Sequence, residues 1–129
     1  MPITIFIAED DPAATESLVE LLTVQLGFGV VGRASSEHEA TEWLLRHAGV
    51  TDVLITDLLF LPGGSGFGLL QHAKTLGRFR NVVVFSSFVT PAVAERCRNL
   101  GADAAFPKSE LGQLLDYLRR LDLEPLSTG

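Results

Sequence analysis

Short apolar runs alternate along the chain with longer stretches in which apolar residues recur at helical spacing. The short runs are rich in β-branched and aromatic residues, which favour strands: "ITIFIA" at 3–8, "FGVVGRA" at 28–34, "DVLIT" at 52–56, "NVVVFS" at 81–86 and the weaker "AAF" at 104–106. The helical stretches cover residues 12–26, 37–48, 67–76, 91–100 and 109–121. The pattern therefore predicts five successive units, each a β-strand followed by an α-helix.

Local signals at the helix starts and in the strands agree with this assignment. Asp11 and Thr90 each stand directly before a proline, and Ser36 is followed three residues later by Glu39 as in a capping box. The runs "VLIT" and "VVVF" carry apolar residues on both faces of their strands, so both faces are expected to be buried. An α/β fold with a doubly wound parallel sheet, covered by helices on both faces, satisfies these requirements.

Length and composition argue against several classes of function. The 129 residues suit one domain, and a net charge of -6 argues against a nucleic-acid surface, which needs clustered Lys and Arg. No apolar stretch approaches the length of a membrane span. A single cysteine and the absence of a signal peptide favour a location in the reducing cytoplasm.

Charged and polar residues follow the predicted strands at their carboxyl ends. Glu9 and Asp10 come after the first strand, Asp57 after the third, Ser86 ends the fourth, and Lys108 stands just beyond the fifth. In an open α/β sheet these strand ends form the crevice where function gathers. Clustered carboxylates suit a hard divalent cation such as Mg²⁺, which would neutralise their repulsion.

Four segments carry a resemblance to a known family. "IAEDDP", "LITDLL", "VVVFSS" and "GADAAFPKS", in this order and spacing, resemble the receiver domain of two-component response regulators in its stand-alone, single-domain form. The resemblance covers nearly the whole chain, with a receiver domain at residues 1–123 and a C-terminal tail at 124–129. It implies a flavodoxin-like (βα)5 fold, a five-stranded parallel sheet with strand order 2-1-3-4-5.

The resemblance also implies a role for individual residues. Asp57 would be the phosphoacceptor, with Ser86 as the hydroxyl that contacts the phosphoryl oxygens and Lys108 as their cationic partner. The Mg²⁺ ion would be held by the acidic pair and the acceptor, together with one backbone carbonyl: Glu9, Asp10, Asp57 and Leu59. The implied protein is a switch rather than an enzyme, since its only phosphoryl transfer and hydrolysis act on itself.

Partners follow from the same resemblance. A histidine kinase or phosphotransfer protein would supply the phosphoryl group, and a downstream protein target would read the altered surface. No direct contact with nucleic acid or with a membrane is expected, and the protein is expected in the cytoplasm.

Two other classes of function stay open. Ala105 occupies the place where the family usually has an aromatic switch residue, which mildly favours an interaction module that no longer depends on phosphate. A flavodoxin-like or haloacid-dehalogenase-like enzyme is the other alternative. Carboxylates stand where flavin binding needs Ser/Thr-rich loops, and "AEDDP" does not match the acid-x-acid signature of the phosphatases.

Overall fold

A computed structural model describes residues 3–47, 49–60 and 64–121, with only the backbone described at 59–60 and 64–65. Its strands are β1 Thr4–Ala8, β2 Gly29–Ala34, β3 Thr51–Thr56, β4 Leu59–Phe60, β5 Gly64–Ser65, β6 Phe79–Ser86 and β7 Ala104–Pro107. Its α-helices are α1 Pro12–Glu20, α2 Glu37–Arg46, α3 Gly66–Leu76, α4 Pro91–Asn99 and α5 Leu111–Arg119. The predicted tail at 124–129 and the domain boundary at 123 lie outside the described residues.

The main sheet has five parallel strands in the order β2-β1-β3-β6-β7. Counted without the short strands β4 and β5, this is the order 2-1-3-4-5, so the predicted doubly wound α/β fold is confirmed. The crossovers place the carboxyl ends of all five strands at one edge of the sheet.

Both faces of the sheet are buried, as the uninterrupted apolar strands predict. In β1, Ile5 and Ile7 pack into a cluster with residues of α1 and α5, whereas Phe6 and Ala8 pack into a second cluster with residues of α2, α3 and α4. Alternate side chains of a strand point to opposite faces, so one short strand contributes to two cores. Burial on both sides leaves the strand ends as the place for polar side chains.

The three predicted helix caps are present. The side chain of Asp11 accepts a hydrogen bond from the Ala13 amide, that of Ser36 accepts from Glu39, and Thr90 likewise caps α4. Each cap satisfies one of the amides that a helix start leaves without a backbone partner. The carboxylate of Asp11 therefore serves as a helix cap, which is a different role from that of the two carboxylates before it.

The structure differs from the sequence prediction in two elements. The first helix does not stay α-helical to residue 26, because its last turn, Leu21–Gln25, widens into a π-helix. There the Thr23 hydroxyl donates to the Val19 carbonyl, the kind of side-chain bond that distorts a helix. The second difference is the antiparallel hairpin of β4 and β5 in the glycine-rich segment after Asp57, where the pattern of apolar runs assigns no strand. Residues 61–63 of that segment lie outside the description.

The single cysteine and the single tryptophan of the chain both contribute to the core. Cys97 is fully buried in the core under α4, and Trp43 packs against the same cluster. None of the described helices combines the length and the apolar composition that a bilayer crossing needs.

Gly66 is required by the close approach of α3 to the backbone at Asp57. Its amide donates to the Leu58 carbonyl at 2.9 Å, and a Cβ on residue 66 would lie 2.7 Å from the Cα of Leu58 and still closer to the Asp57 carbonyl oxygen. A side chain cannot be fitted there without moving backbone that carries the acidic residue.

We expect Gly66→Ala to destabilise the fold by about 2–4 kcal/mol, because the added methyl group must displace main chain rather than a flexible side chain. Gly112 in α5 is the matched control, since a Cβ there meets nothing within 4 Å. Gly112→Ala should leave stability unchanged or raise it by about 0.5–1 kcal/mol. Urea unfolding of both variants measures the difference, and equal stabilities would contradict the close contact.

Candidate functional site

The structure brings the polar residues at the strand ends together at one edge of the sheet. Glu9 directly follows β1, Asp57 directly follows β3, Ser86 is the last residue of β6, and Lys108 directly follows β7. The Asp57 amide donates to the Ala8 carbonyl at 2.9 Å, which continues the pairing of β1 and β3 to the site itself. The position of these side chains is therefore set by the sheet and not by a long loop.

Lys108 bridges two of the carboxylates. Its Nζ lies 2.8 Å from Oε2 of Glu9 and 2.9 Å from Oδ2 of Asp57. The side chains of Glu9 and Asp57 are only 8% and 9% exposed, so these contacts are poorly screened by water. Burial by itself lowers the pKa of Lys108, but the hydrogen bonds to the two carboxylates outweigh it and hold that pKa above its ordinary value. The lysine is therefore charged and fixed between the two acids.

Asp57 is held as an oriented carboxylate. Its Oδ1 accepts a hydrogen bond from the Leu58 amide at 2.6 Å. Burial alone raises the pKa of Asp57, but hydrogen bonds to the hydroxyl of Ser86 and to Lys108 lower it below the ordinary value. Ser86 is itself fully buried. An ionised carboxylate with a fixed direction, next to a cation and a hydroxyl, has the properties of a positioned nucleophile.

Glu9 has the opposite electrostatic character. Burial raises its pKa to about 7, and the neighbouring Asp57 adds to this effect, while the hydrogen bond to Lys108 opposes it. The other oxygen, Oε1, accepts from the Asp11 amide at 3.2 Å. Two neighbouring carboxyl groups thus have pKa values displaced in opposite directions. The hydroxyl of Ser86 and Lys108 lower the pKa of Asp57, and the contact between the two carboxyl groups lowers the pKa of Asp57 while it raises that of Glu9.

Three carboxylates of the site form a group that can hold a metal ion. Oxygens of Glu9, Asp10 and Asp57 lie within 4.8 Å of one another, with Asp10 the most exposed of the three. Hard cations such as Mg²⁺ take oxygen ligands and keep several waters, so an open, all-oxygen group fits this ion. The donor set agrees with the Mg²⁺ site predicted from the sequence, and the ligand roles themselves stay a prediction.

Leu59, predicted to offer its carbonyl to the ion, is described only in its backbone. It begins β4 two residues beyond Asp57 and pairs with Ser65 in β5. The hairpin gives this backbone a regular partner at the rim of the site. Whether the carbonyl serves as a ligand stays a prediction.

Ala105 and Phe106 lie on opposite faces of β7. Ala105 packs against the core cluster that also receives Val89 and Val93, whereas Phe106 packs against the other cluster, with its ring 5.5 Å from that of Tyr117. Phe106 therefore does not fill the space that an aromatic residue at 105 would occupy. Phe88, 58% exposed, lies outside the core on the loop after Ser86.

Two cavities border the acidic site, and the sequence pattern does not reveal either of them. One, of about 270 Å³, lies between α1 and the end of β2 and is lined by Asp10, Glu16 and Arg33 among others. The other, of about 170 Å³, is an apolar depression between α1 and α5, with Leu21, Phe85 and Lys108 in its wall. The alternation of small and apolar residues on α1, "PAATESLVELL", is the signal that could have indicated the second one.

Comparisons with known proteins agree on one family. A family model described as the response regulator receiver domain matches residues 5–119. The uncharacterized transcriptional regulatory protein YvfU of Bacillus subtilis is 29% identical over 119 residues, which cover 92% of this chain and 58% of that protein. The chain thus spans little more than half the length of this curated relative.

Solved structures show the same fold. A response regulator receiver protein from Pseudomonas putida superposes with a TM-score of 0.77 at 23% identity, covering 94% of this chain and 98% of that one. A chain of the CheX–CheY–BeF3–Mg²⁺ complex from Borrelia burgdorferi superposes with a TM-score of 0.78 at 18% identity, covering 92% and 90%.

The raised pKa of Glu9 predicts a pH dependence of stability without added metal. Its folded pKa of about 7 exceeds the ordinary value of 4.5, so the folded state binds the extra proton and unfolding becomes easier as pH rises between these values. We expect wild type to lose about 1–2 kcal/mol of unfolding free energy from about pH 5 to about pH 8, after allowance for screening. In Glu9→Gln this loss should be much smaller, because the amide oxygen still accepts a hydrogen bond from Lys108 but the side chain no longer titrates.

Urea unfolding in a chelator at several pH values measures this loss. Asp57 and Lys108 do not contribute to this pH dependence. The pKa of Asp57 is displaced below its ordinary acidic value and that of Lys108 above its ordinary basic value, so neither group titrates in this window. Glu20→Gln, on an exposed turn of α1, is the control and should keep the wild-type slope. The same slope in Glu9→Gln and wild type would contradict the assignment.

Proposed function

The chain belongs to the family of response regulator receiver domains, and on that premise we propose that it is a phosphorylation-dependent switch that accepts a phosphoryl group on Asp57. The observation that carries the proposal is the Lys108 ammonium, which lies within 2.9 Å of Asp57 while Ser86 and the Leu58 amide also bond the same carboxylate. These contacts keep Asp57 ionised and oriented, as a nucleophile requires.

The proposed reaction is an in-line displacement at phosphorus. A carboxylate oxygen of Asp57 forms a bond to phosphorus as the bond to the donor's leaving group breaks, and the leaving group departs with its electron pair. Lys108 pairs with the charge on the transferred phosphoryl oxygens, and the hydroxyl of Ser86 donates to one of them. Such transfers depend mainly on positioning and charge stabilisation, and the site supplies both from rigid strand ends.

The acidic group would hold Mg²⁺ beside the acceptor. Glu9, Asp10 and Asp57 would contribute carboxylate oxygens and Leu59 its backbone carbonyl. When bound, the ion would offset negative charge on the phosphoryl oxygens. The proximity of the three carboxylate oxygens, within 4.8 Å, supports this assignment.

The proposed phosphodonor is a histidine kinase or a phosphotransfer protein. Such a partner must cover the acidic edge and still reach Asp57, and the apolar depression between α1 and α5 offers a contact next to the site. Its wall includes both Glu9 and Lys108, so a docked partner would lie against the residues that surround the acceptor. A downstream protein would then read the phosphorylated state in the cytoplasm, without direct contact with nucleic acid.

The proposed signal leaves the site through the segment after β6. Ser86 ends that strand, Thr90 caps α4, and Val89 and Val93 between and beyond them pack on the same core cluster as Ala105. A shift of Ser86 towards the phosphoryl group would therefore move the start of α4 directly. No aromatic ring at position 105 is needed for this route.

We expect wild type incubated with Mg²⁺ and a small acyl phosphate to gain the mass of one phosphoryl group, and Asp57→Asn to gain none. The reason is that only the carboxylate of Asp57 combines ionisation with contact to Lys108 and Ser86. Intact-mass spectrometry measures the gain, and Asp11→Asn, which alters the neighbouring helix cap, should be phosphorylated like wild type. Phosphorylation of Asp57→Asn at the wild-type rate would contradict the proposal. If wild type gains nothing, the phosphate-independent interaction module is the better account.

Mg²⁺ should raise the thermal midpoint of wild type and raise that of Asp10→Asn much less. An ion that binds only the folded state stabilises by mass action, about 2.7 kcal/mol at one hundred times its Kd. Differential scanning calorimetry over a range of Mg²⁺ concentrations measures the shift. Asp103→Asn, remote from the group, should respond like wild type, and an equal response in Asp10→Asn would count against the metal site.

A further inference from the structure

A second, chemically different cavity lies at the opposite edge of the sheet. It has a volume of about 220 Å³ and lies where β1 and β3 begin, beside Thr4 and Thr51, with the end of α2 as one wall. The acidic site stands at the other end of these same two strands. None of the residues that line this cavity belongs to the phosphorylation site, and the proposed function leaves it unused.

One wall of the cavity is aromatic and held in place. The ring of Trp43 stacks on that of His47 at 4.2 Å and 18°, and it also lies 4.2 Å from the ring of Phe6 in the core. Nδ1 of His47 lies 2.9 Å from the Trp43 carbonyl oxygen, which can only accept, so this nitrogen carries the hydrogen. Because Phe6 and His47 cover the two faces of the indole, Trp43 offers a ligand its edge and His47 offers its outer face, both held in place before any ligand arrives.

The cavity also contains a cation with unused donors. Arg78 is half-buried, and its Nη1 donates to the carbonyls of Leu44 and His47 at the end of α2. Within the described residues its Nε and Nη2 make no hydrogen bond and the guanidinium has no carboxylate partner, whereas nearby Arg80 pairs with Asp52. Among the described residues no acid lines the cavity; the neighbouring Asp52 is engaged by Thr4 and Arg80, and the chain as a whole is acidic. The positive charge of Arg78 is thus left for an anion.

Apolar side chains form the rim. Val31 and Val50 are 48% and 42% exposed, and they are two of the few large apolar residues that the described chain exposes. A ligand that covered them would gain the free energy of removing apolar surface from water. The cavity therefore combines a flat aromatic wall, an apolar rim and one planar cation.

We propose that this cavity is a binding site for a small monocyclic aromatic carboxylate. The ring would lie between the outer face of His47, beside the edge of Trp43, and the exposed valines, and the carboxylate would accept from Nε and Nη2 of Arg78, the two-pronged geometry that guanidinium favours. An apolar protein cavity of about 150 Å³ takes one benzene ring, so the larger volume here accommodates a ring with one small polar group. The chemical class of ligand follows from these three features.

Trp43 makes the proposal directly testable, because it is the only tryptophan in the chain and lines the cavity. Titration with benzoate should change its fluorescence saturably, with a Kd of about 1 mM or tighter for a ligand of this size. Benzamide, which has the same shape without the charge, and acetate, which lacks the ring, should each bind at least about tenfold more weakly. Asp57→Asn should bind benzoate like wild type, which separates this site from the phosphorylation site.

Two pairs of variants distinguish an effect of the positive charge of Arg78 on binding from a loss of the folded structure. Arg78→Gln should weaken benzoate at least about tenfold, whereas Arg46→Gln, on the exposed side of α2, should not. If Arg78→Gln unfolds, a second pair of variants at the exposed Val50 tests the role of charge instead. Val50→Glu, which places a carboxylate beside the site, should abolish benzoate binding, and the isosteric Val50→Gln should not. Absence of a saturable change in wild type, equal binding of benzoate and benzamide, or equal binding to both members of the pairs would overturn the proposal.

Discussion

The Lys108 ammonium between Glu9 and Asp57 is the interaction on which the site depends. A parallel sheet collects the ends of its strands at one edge, so acidic residues after β1 and β3 are forced together at little exposure. Like charges buried in this way repel strongly unless a cation stands between them. Lys108 meets both carboxylates within 2.9 Å, which allows a negatively charged site to exist without metal. A phosphoryl group arriving at Asp57 would compete for the same ammonium, so the stabilising contact is also the one that phosphorylation would rearrange.

The faces of the strands and three helix caps were predictable, because they depend on local periodicity and on residues adjacent in the chain. The strand order was expected only from the resemblance to the receiver family, since no local pattern encodes which strands are neighbours. The convergence of the polar strand ends was predictable from topology alone. The Lys108 bridge, in contrast, joins residues far apart in the chain, Glu9, Asp57 and Lys108, through side-chain geometry that no local pattern encodes. The hairpin after Asp57 was missed because two-residue strands carry no measurable periodicity. The cavity beside Trp43 was missed since its walls come from separate strands, a helix end and a loop.

Ala105 shows how a missing side chain constrains the path of a signal. A ring at this position could change its burial when Ser86 moves, but the methyl group of alanine has no rotamer to change. Residue 105 itself can therefore respond only through its backbone, and the chain leads directly from the end of β6 to the capped start of α4. Because α4 packs on β7 through the same core cluster as Ala105, a shift of its first turn would alter the surface formed by these two elements.

Between their two ends, β1 and β3 run through both cores of the molecule. Ile5, Phe6 and Val53 are completely buried between two helical layers, so these strands cannot slide without breaking both cores. A ligand in the cavity beside Trp43 therefore cannot move Glu9 or Asp57 along the strands without a large cost in free energy. The remaining connections run through the helices. The first, α2, ends at the cavity and begins where Glu37 lies against Gly68, and α3 ends just before Arg78 and begins at Gly66, against the backbone of Asp57. Coupling between the two ends would therefore act by movement of these helices rather than by a shift of the sheet.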